Sequence, residues 1–231
     1  MKGPKLVGFL LAATAMAMAA ISLAPSWGLG KSGSQQRGCS ELTAEYPSLA
    51  KNESDKRILG ILDDIGEGPC TDELHGRLLR ILVESTRAKN VVEIGTGNGY
   101  SALWMCLGLK TTGGKLVTHE IDHGQVLMAR ATFKRAGVEN LVTVVEGDAH
   151  QTVAQLKEPI DILFMDAEGG NLDYLNQLLP LVRPGGLILS DNMSKPRPDP
   201  QFIKAITTNP NLETIFFNVK STGISLTVKK D

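Results

Sequence analysis

The strongest constraint on the fold is an alternation along the chain. Short apolar runs at residues 91–94, 115–121, 141–145, 160–165 and 187–190 each end at a glycine or an acidic residue. Between them lie segments with helical spacing: 100–109, a stretch through Val126, Leu127 and Ala131, and 172–182. Strands this short and this apolar are buried on both faces. Strand–helix–strand alternation predicts parallel βαβ units, and so a doubly wound α/β fold with helices on both sides of a mostly parallel sheet. Two β-rich runs, 212–219 and 224–228, meet at Ser221, Thr222 and Gly223 and predict an antiparallel hairpin at the C-terminal end. Upstream, Ile58, Leu59, Ile61, Leu62 and Ile65 share one helical face, which Gly66, Gly68 and Pro69 terminate. A second helix runs through Leu74, Leu78, Leu79, Leu82 and Val83, with Thr71 or Asp72 as its cap. Residues 202–207 suit one more helix.

The first forty residues have a different texture. Lys2 and Lys5 precede an uncharged, mostly apolar run at 6–24. A basic head before such a run marks residues 1–30 as a signal peptide or an N-terminal membrane anchor. Pro25, directly after Ala24, disfavours cleavage at that bond. The expected location is therefore exported or membrane-anchored in the cell envelope, with a cytoplasm-facing anchor as the alternative. Residues 31–48 contain a Gly/Ser/Gln-rich stretch and read as a linker. Residues 49–231 read as one domain. Across the whole chain 42% of residues are hydrophobic and 21% charged, which suffices for a sizeable core. The net charge is −1 and basic residues form no stripe, so no nucleic-acid partner is expected. Of three cysteines, Cys39 and Cys70 could pair after export, whereas Cys106 lies in an apolar helix and reads as core. The N-terminal helices offer a surface for a second copy, a possible homodimer.

In open α/β sheets ligands bind beyond the carboxyl ends of the strands. The first strand ends in Glu93-Ile94-Gly95-Thr96-Gly97-Asn98-Gly99-Tyr100-Ser101. Its glycines permit a sharp turn and close backbone approach to a ligand. Their G-x-G-x-G spacing departs from the G-x-G-x-x-G of dinucleotide sites. Glu93 places a carboxylate beside the loop, unfavourable for pyrophosphate but suited to the amino group of S-adenosylmethionine. At the second strand end, Glu120 can accept both hydroxyls of a ribose, and Asp122 can cap the next helix. At the third, Asp148 can bind an adenine amino group or cap the helix that begins near His150. At the fourth and fifth lie Asp166 and the pair Asp191-Asn192. Together they form an all-oxygen set suited to Mg²⁺, Mn²⁺ or Ca²⁺, or else serve as a helix cap and a turn.

The runs VVEIGTGNGYSALWM, THEID, EGDA, FMDAE and RPGGLILSDN resemble the metal-dependent catechol and caffeoyl-CoA O-methyltransferases, above all the bacterial type, over roughly residues 49–230. The resemblance implies a seven-stranded Rossmann-like methyltransferase fold. It places Glu93, Gly95, Thr96 and Ser101 at the methionine end of S-adenosylmethionine, with Gly97 of the same loop as a further cofactor-binding residue. Glu120 falls at the ribose, Asp148 and Ala149 at the adenine, and Thr71 and Glu168 at further cofactor contacts. It makes Asp166, Asp191 and Asn192 ligands of a divalent cation, Mg²⁺ first among the candidates. The implied reaction is methyl transfer to a small hydroxylated, catechol-like acceptor.

One position departs from that pattern. The family carries a lysine, the general base for the phenol, three residues after the first metal aspartate, where this chain has Gly169. Beyond Asp166 itself, the substitute candidates for proton transfer are His150 and Lys195. Tyr174 is a candidate wall of the acceptor pocket, and Trp104 reads as core or cofactor backing. Two alternatives stand beside the metal-assisted reaction: metal-free methyl transfer to another nucleophile, and a non-catalytic nucleoside-binding protein on the same scaffold.

Overall fold

The computed structural model describes residues 49–66, 72–194, 198–217 and 222–230. The segment at 1–30, the linker, Cys39, Cys70, Thr71 and Lys195 lie outside the described residues. Among the described residues no helix is long and apolar enough to cross a membrane.

Two helices come first, α1 (Glu53–Ile65) and α2 (Glu73–Ser85). Then follow β1 (Asn90–Ile94), α3 (Tyr100–Thr112), β2 (Lys115–Glu120), α4 (His123–Ala136) and β3 (Val142–Glu146). After the short α5 (Ala149–Thr152) come β4 (Ile160–Met165), α6 (Asn171–Leu178), β5 (Val182–Ser190), α7 (Pro200–Thr208), β6 (Leu212–Phe217) and β7 (Ile224–Lys229). The seven strands form one sheet in the order β3-β2-β1-β4-β5-β7-β6. Strands β1 to β5 pair in parallel, and β7 runs antiparallel to both β5 and β6. The doubly wound sheet and its C-terminal hairpin are thus as expected.

Local chemistry sets the helix starts. Asn52, Asp72, Asp122 and Asp199 each accept a backbone N–H from the first turn of α1, α2, α4 and α7, and Pro200 preorganises the start of α7. Gly113 and Gly137 close α3 and α4 in the left-handed region.

Strand alternation divides the core into two layers. Val91, Leu116, Ile162 and Leu189 face one side with Ile58, Leu79, Leu103 and Phe133 from the helices. Val92, Ile94, Leu163, Met165 and Ile188 face the other with Leu175, Leu178, Phe202 and Ile206. Helix α3 is buried from Tyr100 to Leu109 because the N-terminal helices cover the face that the sheet does not. Trp104 is one of its core residues, packed directly on Gly76 of α2.

One expectation is corrected. The helix read over 172–182 ends at Leu178, and Val182 opens β5 by pairing with Ile160. The fifth strand, expected over 187–190, therefore starts earlier, and the sheet absorbs Pro184, Gly185 and Gly186 in a register shift between Ile160 and Ile162.

Candidate active site

A cleft of about 510 Å³ opens where β1, β2, β3 and β4 end. The glycine loop forms its floor. Gly95 has φ 95°, and a Cβ there would meet the Asp166 carbonyl oxygen at 2.8 Å, so only glycine fits. The loop is tied to the second strand end: Glu120 Oε2 accepts the Gly97 N–H at 2.9 Å, and Oε1 accepts the Asp122 N–H at 2.9 Å. Two backbone donors hold this carboxylate at the cleft wall, while its remaining lone pairs can still accept hydroxyls.

Gly95, Thr96, Gly97, Ser101, Glu120, Asp148, Ala149, Asp166 and Glu168 all line the cleft. Asp148 also accepts the His150 N–H at 2.9 Å, so it is the helix cap as well as a cleft residue. Ile121, Gln125, Met128 and His119 join the wall, although the sequence reading gave none of them a site role. Ile121, between β2 and α4, and Met128, within α4, are apolar yet 70% and 52% exposed.

Glu93 is placed differently from expectation. Its side chain is wholly buried and does not line the cleft. On β1 it shares the face of Val91, under the start of α3, where Ser101 donates to Oε1 at 2.5 Å and Thr118 donates to Oε2 at 2.6 Å. Burial pushes its pKa up to about 7 against the pull of those two hydroxyls, and the charge of Glu120 adds to the rise. Ser101 is therefore the group that presents this carboxylate's influence to the cleft.

Asp166 and Asp191 leave adjacent strand ends: the Asp166 N–H donates to Ile94 O at 2.9 Å and the Asp191 N–H to Met165 O at 3.0 Å. Asp166 lines the cleft; Asp191 and Asn192 do not. Asp191 is 2% exposed. Its Oδ1 accepts the Thr222 hydroxyl at 2.8 Å, and its Oδ2 is buried without a hydrogen-bond partner. Asn192 sits at φ 63°, in the left-handed region that asparagine tolerates. Among the described residues no three His, Cys, Asp or Glu side chains are gathered as a preformed metal cluster. His75, which the sequence reading passed over, lies beside Asp191 with Nε2 3.8 Å from Oδ1. Nothing in the local sequence distinguishes it from any other histidine in a first helical turn.

His150 does not line the cleft. Its Nδ1 lies 2.5 Å from Asp173 Oδ2, and its ring stacks on Tyr174 with centroids 4.5 Å apart. Tyr174 is the member of that pair that reaches the cleft. Gly169 is open, with nothing within 4 Å of a Cβ placed there.

The profile of the O-methyltransferase family matches residues 70–196. A catechol O-methyltransferase of Niastella koreensis is 37% identical over 123 residues, covering 51% of this chain and 55% of the relative. The chain thus spans about half the length of that curated relative. Tapetum-specific methyltransferase 1 of Arabidopsis thaliana is 33% identical over 178 residues, covering 73% of this chain and 74% of the relative. The crystal structure of an O-methyltransferase from Bacillus cereus in complex with SAH superposes with a TM-score of 0.69 at 26% identity, over 84% of this chain and 98% of that one. With more than half of its length matched by the family profile, and with a relative 33% identical over about three quarters of both chains, this chain belongs to the O-methyltransferase family.

Proposed function

We propose that the chain transfers the methyl group of S-adenosylmethionine to a hydroxyl oxygen of a small catechol-like molecule, with a divalent cation held by Asp166, Asp191 and Asn192. The observation that carries the cofactor half is Glu120, pinned by two backbone N–H groups in the cleft that Ser101 and Asp166 also line. When bound, S-adenosylmethionine supplies an electrophilic methyl: its S–C bond breaks as the O–C bond forms, releasing S-adenosylhomocysteine and a proton. Glu120 accepts the ribose hydroxyls. The loop from Gly95 to Gly97 gives the methionine end room at backbone distance. Ile121 and Met128 offer apolar surface to the adenine. Binding both partners in one cleft removes the entropy of bringing them together, which is the main demand of an in-line transfer.

The residues fit a cation. Two carboxylates issue from adjacent strand ends, and one buried oxygen, Asp191 Oδ2, has no hydrogen-bond partner. When bound, the ion supplies a positive charge that lowers the pKa of a coordinated hydroxyl. The catechol-like acceptor is taken from the curated relative. Gly169 leaves no lysine beside the first aspartate, and the metal-free reading draws on that gap and on the Thr222 contact that already occupies Asp191 Oδ1. Residues 1–30 are proposed as the export or anchor segment that places this domain at the cell envelope.

Calorimetry with S-adenosylmethionine, with Mg²⁺ or with EDTA, and a methylation assay on a catechol panel test the proposal. Binding followed by metal-dependent turnover that Asp166→Ala abolishes is the expected result. Turnover that survives EDTA and Asp166→Ala establishes the metal-free reaction. Binding without turnover on phenols, thiols or amines establishes a binding protein. Gly169→Lys, placed in open space, is expected to raise turnover on phenols.

A further inference from the structure

We propose that His75 is a nitrogen ligand of the divalent cation, sharing it with Asp191, and that Asp72 fixes the ring for this task. The inference rests on the cation reading above and adds a residue to it. Three observations carry it. Asp72 Oδ1 accepts the His75 backbone N–H at 3.0 Å and lies 3.1 Å from the ring Nδ1. A carboxylate can only accept, so in the neutral ring this contact selects the tautomer with its hydrogen on Nδ1 and its lone pair on Nε2. Nε2 is buried, has no hydrogen-bond partner, and lies 3.8 Å from Asp191 Oδ1. The side chains of His75 and Asp191 are 2% and 1% exposed, so the contact lies away from bulk solvent.

A ring lone pair facing a carboxylate in a dry interior repels it, and orphaned buried acceptors are costly. A cation shared between the two removes both penalties. Nitrogen and oxygen ligands each stand about 2.0–2.2 Å from such an ion, so two ligands of one ion lie roughly 3–4 Å apart. The separation found here falls in that span. The carboxylate–histidine pairing is also the arrangement that orients imidazole ligands and raises their basicity. His75 and Asp191 do not complete a coordination set, and Asp166 and Asn192 of the proposed site supply the remainder. An imidazole in the set favours Mn²⁺, Co²⁺ or Zn²⁺ over Mg²⁺ and Ca²⁺, which prefer oxygen alone.

The test uses the full chain. Zinc is added to protein with ¹⁵N-labelled histidine, and Co²⁺ binding is followed by calorimetry and visible absorption. Zinc is expected to shift His75 Nε2 and leave Nδ1 protonated. His75→Gln and Asp72→Asn are each expected to weaken Co²⁺ binding by about 10- to 100-fold, with S-adenosylmethionine binding as the check that the variants fold. Wild type that binds Co²⁺ with an unmoved His75 ring and an unchanged affinity in His75→Gln overturns the proposal and leaves the oxygen-only site standing. Wild type that binds no divalent ion overturns the cation reading itself, and this proposal with it.

Discussion

The Ser101 hydroxyl donates to Glu93 Oε1 at 2.5 Å, so the first carboxylate of the glycine-loop strand acts on the cleft through a hydroxyl and not by its own exposure. Together with the Thr118 hydroxyl, this contact holds an acid whose pKa burial has pushed up to about 7 from 4.5.

Glu93 therefore makes stability depend on pH. Its folded-state pKa lies above its unfolded value, so folding retains a proton that the unfolded chain releases between pH 4.5 and about 7. Stability from this group declines across that window and levels off above it, a loss of about 3 kcal/mol. His119 acts in the opposite sense, because burial lowers its pKa to about 4 and stability falls as pH drops below 6.5. The difference between wild type and Glu93→Gln isolates the acid. In urea denaturation, Glu93→Gln is expected to gain on wild type as pH rises from 4.5 to 8. A gap that stays flat across that range would contradict the assignment.

Glu120 joins the glycine loop to the proposed ribose site. Its two oxygens tie Gly97 and Asp122 to one strand end, and it faces the cleft. Glu120→Ala leaves both donors without their acceptor and removes the proposed ribose contact. Charged hydrogen bonds of this kind contribute roughly 1.5–3 kcal/mol, so S-adenosylmethionine affinity is expected to fall by about 10- to 100-fold. Calorimetry on the folded variant measures this, and an unchanged Kd would move the ribose elsewhere.

Gly169 and Gly170 are adjacent but differ in what a side chain would meet. Both have positive φ, 80° and 75°. A Cβ on Gly169 meets nothing within 4 Å, whereas one on Gly170 meets the His150 ring at 2.8 Å and Tyr174 at 2.9 Å. Gly169→Ala is expected to destabilise by about 1 kcal/mol from backbone strain alone. Gly170→Ala adds a steric clash and is expected to destabilise by about 2–4 kcal/mol and to disturb the Tyr174 wall of the cleft. Thermal unfolding of the two variants compares them directly.

Gly76 sets the approach of α2 to α3. A Cβ there would lie 2.1 Å from the Trp104 ring, which is core and has no room to retreat. Gly76→Ala is expected to destabilise by 3 kcal/mol or more (about the upper end for overpacking) despite alanine's better helix propensity. Equal stability in both forms would mean that the two helices can separate freely.

The fold was largely legible because its cues are local. Apolar runs of strand length, aspartates before helices and a glycine loop after β1 act within a few residues of where they stand. The start of β5 was not legible, since the pairing of Val182 with Ile160 overrides the breaking tendency of Pro184 and Gly185 through a partner distant in sequence.

By itself the sequence determined the alternating elements, the glycine loop and the acidic residues at the strand ends. Only the tertiary structure decided which of those acids meet the cleft. Glu93 and Glu120 stand on neighbouring strands, but one is roofed by the first turn of α3 and the other is left at the rim. His75 became chemically conspicuous only when the helix cap at Asp72 was set against the end of β5. The direction of a side chain in a packed sheet depends on what covers it, and that cover comes from residues far along the chain.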